Sequence, residues 1–80
     1  MDGISIFSQN VRGLRGAEKR RQLFYKFQLS KHKIFFLQET HSTGEVETQW
    51  LSEWGGRIFF SHGTSESKGV CILIKNNVTV

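Results

Sequence analysis

The sequence contains no proline and a single cysteine, Cys71, among its 80 residues. One cysteine excludes an internal disulfide and favours a reducing compartment. No apolar run approaches the ~20 residues that span a bilayer, and the amino-terminal segment lacks the apolar core of a secretion signal. We therefore expect a soluble, intracellular protein that has no membrane partner.

Acidic residues are scarce in the first half of the chain, where Glu18 stands among many cations. The formal net charge is +4, and the early basic residues are Arg12, Arg15, Lys19, Arg20, Arg21, Lys26, Lys31 and Lys33. Such a cluster is the electrostatic footprint of a phosphate-rich partner. It is also typical of the solvated face of a helix, and charge alone favours this second interpretation.

Hydrophobic periodicity predicts a strand, a helix and a second strand, in that order. Residues 3–11 alternate with apolar side chains on both faces, which predicts a strand inside a sheet. Residues 17–30 carry a helical apolar stripe made by Leu23, Phe24 and Phe27. Residues 33–39 are apolar on both faces, which is typical of a central parallel strand. We therefore expect an α/β (α+β) fold that begins with a βαβ unit.

This topology brings two polar residues together. Asn10 and Glu39 each lie at the carboxyl end of a predicted strand. Parallel strands end at the same edge of a sheet, and ligands of open α/β sheets bind just beyond that edge. We therefore expect the two side chains to be neighbours.

The second half of the chain predicts a short helix followed by a β-hairpin. Residues 42–54 place Trp50 and Trp54 on one helical face, with Ser42 or Thr43 as the cap. Strands at residues 57–61 and 69–75 flank a polar turn, and residues 76–77 form another turn. Residues 78–80 have the pattern of a further strand, so we expect residues 1–80 to be a single partial domain.

Each polar candidate has a structural and a functional interpretation. Asn10 taken alone favours a turn-forming role. Glu39 follows an apolar strand, where it either pairs with a cation such as Arg12 or holds a hard cation such as Mg²⁺. His41 is a candidate ligand or general base, although a structural role is favoured.

Other metal and catalytic patterns are not supported by the spacing. His32, His62 and Cys71 lack partners at zinc-ligand spacing, and no Ser-His-Asp arrangement is visible. Trp50 and Trp54 are better explained by core packing than by stacking on bases.

Three motifs in order resemble a known family: residues 8–14 (SQNVRGL), residues 36–41 (FLQETH) and residues 68–74 (KGVCILI). The chain resembles the amino-terminal part of an endonuclease/exonuclease/phosphatase domain, closest to the apurinic-type endonuclease domain of LINE-type non-LTR retrotransposons. The resemblance covers essentially all of the chain. It implies a four-layer α/β sandwich, of which this chain supplies the βαβ unit, the short helix and the hairpin.

The resemblance implies a role for two residues. Glu39 matches the catalytic glutamate that binds Mg²⁺ or Mn²⁺, and Asn10 matches the catalytic asparagine that hydrogen-bonds the scissile phosphate. The implied partner is DNA, with Arg12, Arg15, Lys19, Arg20 and Arg21 as candidate backbone contacts. A reverse transcriptase is expected on the same polyprotein, and an active retroelement protein would be nuclear.

The family's later Asp/Asn and Asp-His pairs have no counterpart in these 80 residues. We therefore expect a fragment of a metal-dependent DNA endonuclease that does not cleave by itself. Two alternatives stay open at this point. One is a non-catalytic retroelement remnant with at most nonspecific nucleic-acid binding, and the other is a phosphodiesterase or phosphatase of the same fold.

Overall fold

A computed structural model describes residues 5–64 and 68–78 of the chain. Its regular elements follow the order that the sequence predicts. They are β1 (Ile6–Asn10), α1 (Ala17–Leu29), β2 (Ile34–Gln38), a 3₁₀ turn (Gly44–Val46), α2 (Glu47–Trp54), β3 (Arg57–Ser61) and β4 (Val70–Ile74). The predicted boundaries therefore agree with the observed ones to within a few residues.

The four strands form one mixed sheet in the order β1-β2-β4-β3. β1 and β2 are parallel, with Asn10 opposite Gln38, which confirms the βαβ unit. β4 is antiparallel to both β2 and β3, with Val70 opposite Gln38, which confirms the hairpin. β2 therefore lies in the centre, as its two apolar faces predict, and its carboxyl end meets the amino end of β4.

β1 lies at the edge of the sheet, so the prediction of an interior strand is wrong. Among the described residues β1 pairs with β2 alone, and Ile6 is 61% exposed. Phe7 lies on the opposite face of β1 from Ile6, and its ring packs against Phe27 and Phe35 in the core. Ile4 lies outside the described residues. The alternation therefore buries one face of β1 rather than both.

Aromatic rings form the core between the sheet and the two helices. Phe27 of α1 stacks on Phe35 of β2 with ring centroids 4.5 Å apart. Trp54 of α2 meets Phe35 and Phe24 edge-on, and its indole N–H donates to the Ile74 carbonyl at 3.0 Å. Trp50 is also buried. The predicted packing role of both tryptophans is confirmed, and burying each such side chain stabilises the fold by ~1.5–3 kcal/mol.

The start of α2 differs from the prediction. Neither Ser42 nor Thr43 makes a side-chain capping bond, and Val46 precedes the first helical residue. The Ser42 hydroxyl bonds to a histidine instead, as described below. Gly55 follows α2 with a φ of +79°, which agrees with the predicted end of this helix. None of the helices in the described residues is long and apolar enough to cross a membrane.

Two predictions fall partly on residues that the structure does not describe. The turn at residues 76–77 is present, whereas the strand predicted at 78–80 falls mostly on residues 79–80, which lie outside the described range. The centre of the polar turn between β3 and β4, residues 65–67, also lies outside the described range.

Candidate active site at the carboxyl ends of the parallel strands

Asn10 and Glu39 contact each other at the carboxyl edge of the β1–β2 pair. The Asn10 side-chain N–H donates to Oε2 of Glu39, which confirms that the two are neighbours. Oδ1 of Asn10 accepts from the Arg12 amide at 3.1 Å. Asn10 therefore has both roles at once. Its side-chain oxygen forms the turn with the Arg12 amide, and its side-chain nitrogen contacts Glu39.

Main-chain pairing continues beyond the ends of β1 and β2 and holds the two loops side by side. Three amides of the first loop donate to consecutive carbonyls of the second: Val11 to Gln38 at 2.9 Å, Gly13 to Glu39 at 2.6 Å and Leu14 to Thr40 at 3.0 Å. The position of Glu39 is therefore set by the backbone as well as by its side-chain contact.

The backbone is left-handed at three non-glycine residues of this site. φ is +54° at Arg12, +55° at Glu39 and +57° at His41. This conformation costs about 1 kcal/mol for each residue with a Cβ. Gly13, with φ +92°, lies where an added Cβ would sit 3.4 Å from Nδ1 of His41. Such conformations cluster where surrounding contacts enforce a functional geometry.

Thr40 anchors the second loop between two of these left-handed residues. It is 0% exposed, and its amide donates to the Gly69 carbonyl at 3.2 Å. The next amide, of His41, donates to the Lys68 carbonyl at 2.8 Å. Gly69 has a φ of +81°, and an added Cβ would lie 3.0 Å from the Gly63 amide nitrogen. The loop is therefore tied to the start of β4 at a position that favours glycine.

Glu39 faces a lysine rather than the arginine considered from the sequence. Among the described residues, Lys68 is the cation within 4 Å of the carboxylate, with Nζ 3.9 Å from Oε1. The Lys68 side chain is 62% exposed, so this contact contributes little to stability. The antiparallel register of β2 and β4 explains the proximity, because Lys68 lies two residues before the partner of Gln38. The sequence predicted the hairpin of β3 and β4 but not the pairing of β4 with β2, which brings Lys68 to Glu39.

Arg20 departs from the exposed position expected on α1. It is 2% exposed, and its guanidinium binds both carboxylate oxygens of Glu53 at 2.5 and 2.9 Å. It also donates to the Leu14 carbonyl at 2.9 Å and lies over the Trp50 ring. The hydrogen bond from Arg20 lowers the pKa of Glu53, against the opposing effect of burial. Arg20 thus joins α1, α2 and the first loop, and this burial removes it from the candidate DNA surface.

The other four basic candidates lie on the exposed surface, two in the first loop and two on α1. Arg12, Arg15, Lys19 and Arg21 are exposed. The Lys19 ammonium donates to the carbonyls of Val11 and Arg12 at 2.5 and 3.3 Å. Lys19 therefore stabilises the loop that carries Asn10, in addition to its positive charge.

This edge offers one carboxylate oxygen donor to a hard divalent cation. Glu39 supplies one partly exposed carboxylate beside the amide of Asn10. In the described residues, no group of three or more His, Cys, Asp or Glu side chains could hold a metal ion. Mg²⁺ is commonly bound through one or two carboxylates, while waters and substrate phosphates complete its shell. A single carboxylate is therefore compatible with Mg²⁺ in the presence of a phosphate substrate.

A second polar cluster, which the sequence did not reveal, consists of Ser42, Glu47 and His62 and contacts Thr40, the residue after Glu39. His62 bonds through Nδ1 to the Ser42 hydroxyl at 2.8 Å and through Nε2 to the Glu47 carboxylate. Ser42 is 3% exposed and accepts from the Thr40 hydroxyl at 3.3 Å. Burial raises the pKa of the nearby Cys71 thiol, opposed by hydrogen bonds with Thr40 and Ser42. The partners of His62 come from distant parts of the chain, so the sequence did not reveal them.

His41 lies on the outer side of this cluster. It is exposed and lines an open cavity of about 230 Å³ together with Ser42, Thr43, Gly63, Thr64 and Lys68. The cavity is adjacent to Glu39 through the contact of that carboxylate with Lys68. The site is thus accessible from this side.

The chain is similar in sequence to part of a transposon protein. No family model matches the chain. Over 74 residues it is 38% identical to the Transposon TX1 uncharacterized 149 kDa protein of Xenopus laevis. The match covers 92% of this chain but spans only 6% of that protein. The region is therefore similar to a short segment of a transposon protein, in agreement with the mobile-element origin that the motifs imply.

Proposed function

We propose that this region supplies Asn10 and Glu39 to the active site of a metal-dependent DNA endonuclease of the endonuclease/exonuclease/phosphatase superfamily. The observation that carries the proposal is the contact between these two side chains at the carboxyl edge of two parallel strands. The similarity to a transposon protein supports a mobile-element origin, within which the proposed role is target-site nicking. The same reasoning makes a linked reverse transcriptase the expected neighbour in a longer protein.

Glu39 is the proposed ligand of Mg²⁺, with Mn²⁺ as a substitute. When bound, such an ion polarises the scissile phosphate and stabilises charge on the departing oxygen. The carboxylate is 35% exposed, so a phosphodiester can approach it from solvent. Lys68 is a weak competitor for Glu39 because its ammonium lies 3.9 Å away and is itself exposed.

Asn10 is the proposed donor to a non-bridging phosphate oxygen. Its amide nitrogen carries two hydrogens, and Glu39 accepts one of them. The carbonyl end is held by the Arg12 amide, which fixes the nitrogen on the side of Glu39. A donor fixed in place before the reaction stabilises developing charge without reorganisation.

We expect catalysis to require residues beyond Asn10 and Glu39. In the part of the chain that the structure describes, no group of three or more potential metal ligands surrounds Glu39. The later Asp/Asn and Asp-His pairs that the resemblance implies would supply the general base. Activity is therefore to be measured on a protein extended to the full domain.

The exposed arginines beside the first loop are proposed to hold flanking DNA. Arg12 and Arg15 offer positive charge in the loop that follows Asn10, and Arg21 adds an exposed charge on α1. Contacts of this kind are sequence-independent and salt-sensitive. Lys19 adds to the positive electrostatic potential of this surface, and its ammonium also donates to the Val11 carbonyl of the loop.

The decisive experiment is nicking of supercoiled plasmid by the extended protein, with and without Mg²⁺. Glu39→Gln is expected to lower the rate at least a hundredfold, because it removes the proposed metal ligand with little change in shape. Glu45→Gln is the matched control, since Glu45 is an exposed acid of the neighbouring 3₁₀ turn. Equal activity of wild type and Glu39→Gln would overturn the proposed role.

The second candidate function is nucleic-acid binding without cleavage. The exposed arginines favour it, since they do not depend on Glu39. It predicts plasmid binding that weakens with salt and no nicking by the extended protein at any Mg²⁺ concentration. Cleavage of a phosphoinositide or another small phosphodiester, but not of plasmid, would instead favour a different substrate for the same fold.

A further inference from the structure

The Ser42–His62–Glu47 cluster crosses three separate segments of the chain. Ser42 belongs to the loop after β2, Glu47 begins α2, and His62 follows β3. His62 bridges the other two, with the Ser42 hydroxyl on one ring nitrogen and the Glu47 carboxylate on the other. Its ring also lies 5.3 Å from that of Phe60, which fixes it against the sheet.

This arrangement does not suit a nucleophile. Ser42 is 3% exposed, so its hydroxyl is not presented to a substrate. Its contacts run inward, to His62 and to the hydroxyl of Thr40. Thr40 lies directly between Glu39 and His41, the two left-handed residues of the second loop. The cluster therefore ends at the residue that anchors the loop carrying Glu39.

We propose that Ser42, His62 and Glu47 are positioning residues that hold the loop at residues 39–41 in its left-handed geometry. The histidine accepts or donates at both ring nitrogens, and the carboxylate of Glu47 orients it. The buried hydroxyls of Ser42 and Thr40 transmit this constraint to the backbone on both sides of Thr40. The link to catalysis rests on the proposed function, because it requires that Glu39 bind the metal ion.

A second histidine provides a matched control at the other end of the sheet. His32 bonds to the Ser5 hydroxyl through Nδ1 at 2.6 Å, and its ring lies 5.5 Å from that of Phe7. It precedes β2, whereas Glu39 follows it. His32→Ala and His62→Ala therefore remove similar ring contacts and similar serine bonds at opposite ends of the same sheet.

The first test is amide hydrogen exchange of the 80-residue chain, with its unfolding transition measured in parallel. In His62→Ala we expect the Thr40 and His41 amides to exchange at least tenfold faster. These amides donate to the carbonyls of Gly69 and Lys68, and the bonds should open more often when the cluster no longer holds the loop. The Lys75 amide, which bonds to Lys33 at the other end of β2, should be unchanged after correction for global stability. His32→Ala should leave Thr40 and His41 unchanged.

Conservative variants separate positioning from folding. His62→Asn retains a group near Nδ1 that can bond to Ser42, so it should restore part of the protection at Thr40 and His41. Ser42→Ala should reproduce the effect of His62→Ala at these amides. Unchanged exchange at Thr40 and His41 in both His62→Ala and Ser42→Ala, or an increase that is uniform over the chain, would overturn the proposal.

The second test measures Mn²⁺ binding by electron paramagnetic resonance on the same variants. We expect His62→Ala to weaken Mn²⁺ about tenfold, the scale typical of residues that orient a metal ligand, and His32→Ala to have no effect. Absence of Mn²⁺ binding by the wild-type extended protein would contradict the proposed function while the exchange pattern still decides the positioning role. Wild-type binding that His62→Ala does not weaken would refute the link from the cluster to Glu39.

Discussion

The side chain of Asn10 donates a hydrogen bond to the carboxylate of Glu39 across 29 positions of sequence. The contact follows from parallel pairing of β1 and β2, whose carboxyl ends lie at one edge of the sheet. The amide is held from behind by the Arg12 backbone. Two side chains that come from different strands therefore form one small polar unit with a fixed orientation.

Replacing Asn10 by alanine should affect stability and activity together. Asn10→Ala removes the donor to Glu39 and the acceptor for the Arg12 amide. Loss of two partly exposed hydrogen bonds should destabilise the fold by ~1–2 kcal/mol. Urea unfolding of the 80-residue chain measures this, and plasmid nicking by the extended protein should fall at least tenfold. Asn77→Ala, in the exposed turn after β4, is the control and should change neither quantity.

The Arg20–Glu53 pair should make stability depend on acid pH. Arg20 lowers the pKa of Glu53 in the folded state, so the pair stabilises the fold above the ordinary pKa of a glutamate. This stabilisation should be lost as the pH falls from about 5 through the lowered pKa. Unfolding free energies measured between pH 7 and 3 should therefore fall more steeply for wild type than for Glu53→Gln. Parallel curves would contradict the coupling.

Removing Arg20 should be more damaging than removing an exposed cation of the same helix. Arg20→Ala leaves the Leu14 and Arg15 carbonyls without their donor and opens space beside Trp50. We expect a loss of ~3 kcal/mol, at the lower end of the range for breaking a buried ion pair. Lys26→Ala, on the exposed side of α1, should change stability by less than ~0.5 kcal/mol. Thermal or urea unfolding distinguishes the two.

Sequence periodicity was sufficient for the order of elements and for the Asn10–Glu39 contact. Both faces of residues 33–39 are apolar, and this pattern alone places β2 in the centre of the sheet. Parallel pairing then follows from the intervening helix. These inferences succeed because each depends on local spacing and on a general rule of chain topology.

Pairing between distant side chains was not accessible in the same way. Arg20 has the charge and spacing of an exposed helical residue, and its burial depends on Glu53 of the other helix. His62 likewise acquires its partners through the turn at Ser42 and the start of α2. The edge position of β1 depends on which strand β4 joins. A single sequence does not encode these partners in any periodic pattern.

Adding a methyl group at Gly69 should weaken the attachment of the second loop. Gly69→Ala puts a Cβ at a φ of +81° and 3.0 Å from the Gly63 amide nitrogen. We expect a loss of ~2 kcal/mol, since both the backbone conformation and the space oppose the side chain. Gly44→Ala is the matched control because nothing lies within 4 Å of its added Cβ and its φ is not left-handed. Similar free energies of unfolding for both variants would contradict this account.

The exposed arginines beside Asn10 should govern the salt dependence of DNA binding. Arg12→Ala and Arg15→Ala should each weaken binding to mixed-sequence DNA, because each removes one proposed phosphate contact. The slope of log affinity against log salt should decrease in magnitude by about one for each variant. Lys31→Ala removes an exposed cation near the opposite end of β2 and should leave the slope unchanged. Fluorescence anisotropy over a range of salt concentrations measures all three slopes, and an equal effect of Lys31→Ala would favour diffuse attraction over a surface centred on Asn10.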